Sequence, residues 1–380
     1  MTVLLHSAAR IDERGEVPDA WVLFDGDTIA ATGTGLATAP DAEERVDLDG
    51  ARLVPGFIDL HGHGGGGYAY DGDGEESIYA ALAPHRARGT TRSVLSLVAN
   101  PLVSLRNSLA EIAELSRRDP LILGTHLEGP YLAPERRGAH NAEYLRDPDP
   151  VVIDELLSAA HGTLRQITIA PELPGALDAI EYLAGHGVVV AVGHTGADAE
   201  TTRAAFDRGA RILTHVFNAM PGIHHRQPGP IVAAFEDERI TLELVLDGHH
   251  VHPDVAALTF ESAPGRVALI TDAMAAAAAD DGDYRLGSLN VSVRGGIALL
   301  SGTETLAGST LTQDVALRIA VDRVGLSWPD AVASVTAVPA RALRIQDRFG
   351  LLAPGYVADA VALDDTGHVT AVWAAGARLV

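Results

Sequence analysis

The chain has no cysteine and, read residue by residue, no lysine: all 28 of its basic residues are arginine. The first absence excludes a disulfide framework, thiolate metal ligands and a cysteine nucleophile. The second excludes a P-loop lysine, a Schiff-base lysine and a carboxylated lysine bridging two metal ions. No apolar run approaches the eighteen residues of a membrane span, so no membrane partner is expected. The first residues, Met-Thr-Val-Leu-Leu-His, lack the basic start and long apolar core of a signal peptide, which leaves a cytoplasmic address as the expectation. Positive charge is also short: the net charge is −23, which argues against nucleic acid or an anionic membrane as partner. An anionic substrate therefore needs a local pocket of arginine, histidine, metal or backbone N–H groups.

What is present reads as a folded protein, with 47% apolar and 21% charged residues over 380 positions. From about residue 52 the chain alternates short β-branched runs with amphipathic stretches such as SLRNSLAEIAELSRR, ALDAIEYLAGHG and DAETTRAAFDRG, the pattern of parallel βα units. Eight runs are expected as strands. They reach His63, Val98, Pro130, Glu172, Thr195, Ala219, His250 and Met274. Eight fit a closed (β/α)₈ barrel of the TIM type. Seven of them carry His, Glu, Asp or Asn within their last few residues, where barrels of this kind keep their catalytic residues. Residues 1–50 and 348–380 read differently, as short strands separated by turn residues, and predict one small β-sandwich built from both termini around a barrel at 51–347. The alanine run 275–279 reads as a loop.

The chemistry concentrates at the strand ends. His61 and His63 stand two apart on the first run, so both imidazoles face the same side and can meet one ion. Gly64 to Gly67 then let the chain turn away. Glu128, His194, His215 and Asp272 close the third, fifth, sixth and eighth runs. Each alone has a bland alternative, such as a satisfied buried histidine or a capping aspartate. Six at one end of five strands form a metal constellation, and neutral imidazole with carboxylate suits Zn²⁺ or a similar divalent ion. Arg226, in HHRQPG, is the best cationic anchor for a phosphate, because a guanidinium grips phosphate in bidentate fashion; a solvated surface arginine is its competing reading. His224 and His225 beside it have no assigned role.

PGFIDLHGHG, HLEGPYL with RRGAHN, VGHT, THVFNAM, DGHH and TDAM follow the order and spacing of the amidohydrolase superfamily. The HLEGP, GAHN, FNAM and LAGS phrases resemble the N-acetylglucosamine-6-phosphate deacetylases in particular. That resemblance implies principal metal ligands at Glu128, His194 and His215 and a general acid/base at Asp272. His61 and His63 match a second site that only some members keep, so one or two ions per subunit are expected, with Glu128 bridging and the His61/His63 site the weaker. Zn²⁺ is the expected metal, with Fe²⁺, Mn²⁺ or Co²⁺ as alternatives. His140, which otherwise reads as an ordinary loop histidine, is implied to polarise the acyl carbonyl. His250 matches a phosphate contact, and Ala139, Asn218, Ala219, Asp247, Gly248, His249, Leu306, Ala307 and Gly308 match positions that hold the sugar or the phosphate. Ser309 and Thr310 admit a second reading as the N-cap of the helix beginning DVALRIAVD. The implied substrate is a small phosphosugar and the implied assembly a homodimer. Two rivals stay open: the same hydrolytic site acting on an N-acetylgalactosamine phosphate or an N-acyl amino acid, and a metal-free binding protein on a decayed hydrolase fold.

Overall fold

The computed structural model describes residues 1–71 and 74–380. Its centre is a sheet of eight parallel strands: β1 (Phe57–Gly62), β2 (Thr90–Val98), β3 (Ile122–Glu128), β4 (Leu164–Ile169), β5 (Val189–Val192), β6 (Ala210–Leu213), β7 (Thr241–Val245) and β8 (Val267–Ile270), each paired with the next in sequence order. The (β/α)₈ barrel expected from the sequence is present. These strands are buried along almost their whole length, as strands covered on both faces must be. The helices between them are amphipathic: Leu102–Arg118 buries Leu105, Leu109, Ile112 and Ala113, a stripe at helical spacing. Aspartates start two of them, with Asp149 accepting from Val151 N–H and Asp198 from Thr201 N–H.

Closure occurs just beyond the strand ends. The N–H of Asp272 donates to the His61 carbonyl at 2.8 Å, and the N–H of His63 donates to the Ala273 carbonyl at 2.7 Å. The seam of the barrel thus joins the first motif of the chain to the last.

The termini form a second layer. Thr2–Asp12 pairs antiparallel with Gly15–Asp25, and it pairs in parallel with Glu44–Asp47 through its first half and with Arg52–Pro55 through its second. Ala360–Leu363 then adds to Arg52–Pro55, and Val369–Ala374 adds to Ala360–Leu363. The sheet forks at its longest strand and folds over its own apolar core, which includes Phe24, Ile29, Leu53 and Trp373. A small sandwich built from both ends results, as expected. It is fastened to the barrel by Asp359, which receives a bidentate pair from the buried Arg92 (2.6 and 2.9 Å) and further hydrogen bonds from Thr91 Oγ1 and Ala375 N–H.

A three-stranded antiparallel sheet (Asp283–Leu286, Leu289–Arg294, Ile297–Leu300) was not foreseen. The run 275–279 is a loop, but Ala275 and Ala276 are buried beneath that sheet. Small side chains there let the two layers approach. The capping reading for Ser309 and Thr310 is corrected: the helix starts at Gln313 with Thr312 before it. Ser309 instead donates to the Thr271 carbonyl at 2.5 Å and Thr310 to the Gly296 carbonyl at 2.7 Å, tying their loop to β8 and to the small sheet.

Candidate metal centre and its cavity

Glu128, at the end of β3, sits in a ring of histidines at the C-terminal mouth of the barrel. Its Oε1 lies 3.0 Å from His194 Nε2, 3.1 Å from His215 Nε2 and 3.5 Å from His61 Nε2. Its Oε2 lies 3.2 Å from His63 Nε2 and 3.3 Å from His140 Nε2. Asp272 Oδ1 is 3.5 Å from His61 Nε2 and 3.3 Å from His63 Nε2.

Three of these side chains reach the centre because the chain leaves the strand before it presents them. β5, β6 and β8 stop at Val192, Leu213 and Ile270, whereas His194, His215 and Asp272 lie two residues on with φ of 49°, 25° and 47°. That left-handed backbone is costly for a side-chain-bearing residue, and a cluster of it marks a site that the surrounding structure holds in place. The apolar runs therefore end earlier than the sequence alone suggests. Gly193 is required by contact: a Cβ there would stand 2.6 Å from Thr214 Cβ and 2.8 Å from Thr168 Cγ2.

Two donor groups share Glu128. One comprises His61, His63, Glu128 and Asp272, the other Glu128, His194 and His215, and within each the donor atoms lie inside 4.8 Å of one another. Imidazole nitrogens face each other at 3.2 Å (His61 and His63) and 3.0 Å (His194 and His215), and all four lie within 3.5 Å of the Glu128 carboxylate. Ring nitrogens this close need a proton or a metal cation between them, and imidazole with carboxylate is a donor set that fits a divalent ion in each group. Asp272 falls in the His61/His63 group and gives that group a fourth donor.

The charges follow this geometry. Burial opposes ionisation of Glu128, but the surrounding imidazoles, His61 foremost, hold its carboxyl well below the usual range. Burial likewise pushes Asp272 up, yet His61 and His63 bring it down to about 2. Burial lowers His63, and the carboxylates of Asp272 and Glu128 more than reverse this, raising it to about 9. His140 is fixed from behind: the Ala99 N–H donates to its Nδ1 at 3.3 Å, so its hydrogen is on Nε2, toward the centre.

A cavity of about 380 Å³ opens onto the centre. His63, Glu128, His140, His194, His215 and Asp272 form its floor; Ala139, Asn218, Ala219, His250, Leu306 and Gly308 lie on its walls. Arg136 is the one arginine among its described lining residues and has no ion pair with any described residue. The remaining expected residues stand elsewhere. His61 is wholly buried under the floor, and Ala307 is buried in the layer below the small sheet. Asp247 acts on His250, accepting from its ring Nδ1 at 2.7 Å and its N–H at 2.8 Å; Gly248 and the exposed His249 complete that turn. Arg226 is exposed and borders a neighbouring cavity that has Arg136 in common with the first. His224 accepts from the Arg226 N–H and shapes the turn that carries it, with the His225 ring 4.3 Å away. A more open cleft of about 970 Å³, between Leu102–Arg118 and the small sheet, contains none of the predicted residues. Convergence of titratable groups, and not volume, identifies the site.

Sequence reasoning missed the layer beneath. Asp59 accepts from Thr271 Oγ1 at 2.6 Å, His126 bridges Ser96 Oγ and Thr168 Oγ1 at 2.9 Å each, and Glu243 joins Gln166 to His61. Burial, helped by His61, pushes His126 well below the usual histidine range and keeps it neutral. A signal existed: Asp59 stands two before His61 and His126 two before Glu128, so each shares an inward face with a member of the donor groups.

The amidohydrolase family model matches residues 52–379. The chain is 39% identical to an N-acetylgalactosamine-6-phosphate deacetylase of Escherichia coli O157:H7 over 99% of both proteins. It is 34% identical to an N-acetylglucosamine-6-phosphate deacetylase of Vibrio furnissii, over 89% of this chain and 85% of the relative. Among solved structures, a mutant N-acetyl-D-glucosamine-6-phosphate deacetylase of Mycobacterium smegmatis in complex with N-acetyl-D-glucosamine-6-phosphate superposes with a TM-score of 0.95 at 43% identity, covering 100% of this chain and 99% of that one.

Proposed function

The chain belongs to the amidohydrolase family, and from that we propose that it hydrolyses the N-acetyl group of N-acetylglucosamine-6-phosphate, releasing acetate and glucosamine-6-phosphate. The observation that carries this reading is the double donor group around Glu128 with Asp272 beside it at the floor of one cavity. Zn²⁺ suits its imidazole and carboxylate donors, one ion with Glu128, His194 and His215 and a second with His61, His63 and Glu128. When bound, a divalent ion supplies Lewis acidity that makes water a nucleophile near neutral pH.

The chain's own residues do the rest. Asp272 Oδ1, ionised and 3.3 Å from His63 Nε2, takes the proton of the attacking water and returns it to the leaving amine. His140 Nε2–H points into the cavity and stabilises the oxyanion that forms on the acetyl carbonyl. Asn218, Ala219, Leu306 and Gly308 offer backbone and amide groups to the sugar. His250, oriented by Asp247, and the unpaired Arg136 are cations on the cavity wall for the phosphate, and Arg226 is an outer contact beyond Arg136.

N-acetylgalactosamine-6-phosphate is the second reading, supported by the 39% likeness to an enzyme named for that substrate over nearly the full length. The test is acetate release from both phosphosugars, their unphosphorylated forms and an N-acyl amino acid, after loading with defined metals. Preferential turnover of N-acetylglucosamine-6-phosphate supports the proposal. Higher kcat/KM for the galacto epimer replaces it with the second reading, and turnover of unphosphorylated or amino-acid substrates alone overturns both.

A further inference from the structure

We propose that Glu243 is a positioning residue that strengthens the hold of His61 on its ion. This rests on the metal-centre reading above. Glu243 lies on β7 inside the barrel with 0% of its surface exposed. A buried carboxylate costs several kcal/mol unless it is paired. Its Oε1 accepts from Gln166 Nε2 at 2.7 Å and its Oε2 from His61 Nδ1 at 3.2 Å. Among the described residues it has no arginine partner, and His61 is its one possible ion-pair partner. A cation on the far side of the His61 ring would add a favourable charge to this pairing.

The contact also fixes the tautomer. With its hydrogen on Nδ1, His61 turns the lone pair of Nε2 toward His63, Glu128 and Asp272. The other three ligand histidines have weaker support. His194 Nδ1 donates to the neutral Arg136 carbonyl at 2.9 Å, and the buried Nδ1 atoms of His63 and His215 have no partner among the described residues. Of the four, His61 alone has a carboxyl group behind it among the described residues, and a carboxylate behind a ligating imidazole raises its basicity. Glu243 therefore acts on the ion of the His61/His63 group and leaves the Glu128–His194–His215 ion alone.

The structure also supplies a mild variant. Gln166 Oε1 is buried without a partner. In Glu243→Gln a flip of the Gln166 amide lets the new nitrogen donate to that atom while the new carbonyl still accepts from His61, so shape and the number of hydrogen bonds stay and the charge goes. The metal-stripped protein is titrated with Zn²⁺ against a competing chelator, and bound metal is counted. The wild type is expected to hold two ions. Glu243→Gln should bind one with unchanged affinity and the other about 10- to 100-fold more weakly, with the metal-free melting temperature no lower than that of the wild type. Two ions at wild-type affinity in the variant overturn the proposal, as does equal weakening of both, which marks a general structural role. A wild type that holds a single ion, still present in His61→Ala/His63→Ala, overturns the two-ion reading and this proposal with it.

Discussion

Asp272→Asn is the most incisive single change at this site, because it keeps the shape of the side chain and removes its charge. The backbone there is held independently: its N–H donates to the His61 carbonyl at 2.8 Å and its carbonyl accepts from the Ser309 N–H at 2.7 Å. Neither bond uses the carboxylate, so the barrel seam survives the substitution. Burial favours the protonated form, but His61 and His63 outweigh it and hold the group at about 2. The wild-type residue is therefore an ionised acceptor throughout the neutral range, and asparagine cannot take its proton. Losing a positioned acid/base lowers kcat by about 10²- to 10⁴-fold, which is about 2.7–5.4 kcal/mol on the barrier at 1.36 kcal/mol per decade. The assay is acetate release, with bound metal and substrate affinity measured on the same preparation. Full metal content, near-normal affinity and kcat down at least a hundredfold are expected. Near-normal turnover would refute the assignment and move the proton transfer to another residue. Loss of an ion together with activity would recast Asp272 as a ligand, since its Oδ1 belongs to the four-donor group.

His61→Ala combined with His63→Ala should remove one ion and leave a reduced but measurable activity, whereas His194→Ala should abolish it; metal analysis of the three proteins decides, and a wild type that never exceeds one ion in excess Zn²⁺ makes the pair a relic. Arg226→Ala is expected to lower kcat/KM for the phosphorylated sugar by about a hundredfold, ~3 kcal/mol for a lost bidentate contact, with little effect on the unphosphorylated one. Equal losses on both substrates would assign it to the turn it shares with His224 and His225, and a phosphate-specific loss confined to Arg136→Ala would transfer the anchor to the cavity wall. Burial lowers His250 while Asp247 more than compensates, so its imidazole stays charged above the ordinary value of about 6.5; this cation is present below its raised pKa and lost as pH rises through it. KM for the phosphosugar should rise on that alkaline side, and a His250→Asn enzyme with the same profile would exclude His250 as its source. Asp359→Ala leaves Arg92 buried and unpaired, at a cost of about 3–5 kcal/mol in the urea unfolding free energy; a loss below about 1 kcal/mol would show that the clasp between sandwich and barrel is weak.

The sequence by itself determined the barrel and pointed to the residues of the candidate metal centre. Eight β-branched runs alternating with amphipathic segments leave few architectures open, and parallel strands bury both faces, so each run is legible without its neighbours. His61, His63, Glu128, His194, His215 and Asp272 were legible for a related reason: polar residues at the ends of apolar strands stand out locally.

Which of these residues meet was decided only in three dimensions. Asp272 joins the His61/His63 group because the barrel closes through Asp272 N–H and the His61 carbonyl, a bond between residues 211 positions apart that no local pattern encodes. Glu243 was invisible for the opposite reason. It sits in the interior of β7, and a glutamate at such a position reads as a solvated surface residue until the barrel wraps around it and sets His61 3.2 Å away. Arg226 shows the same division: its chemistry suits a phosphate, whereas its place on an adjoining cavity that has Arg136 in common with the first is set by a turn shaped by His224. Residue type fixes what a side chain can bind, whereas the path of the backbone after each strand fixes what it can reach.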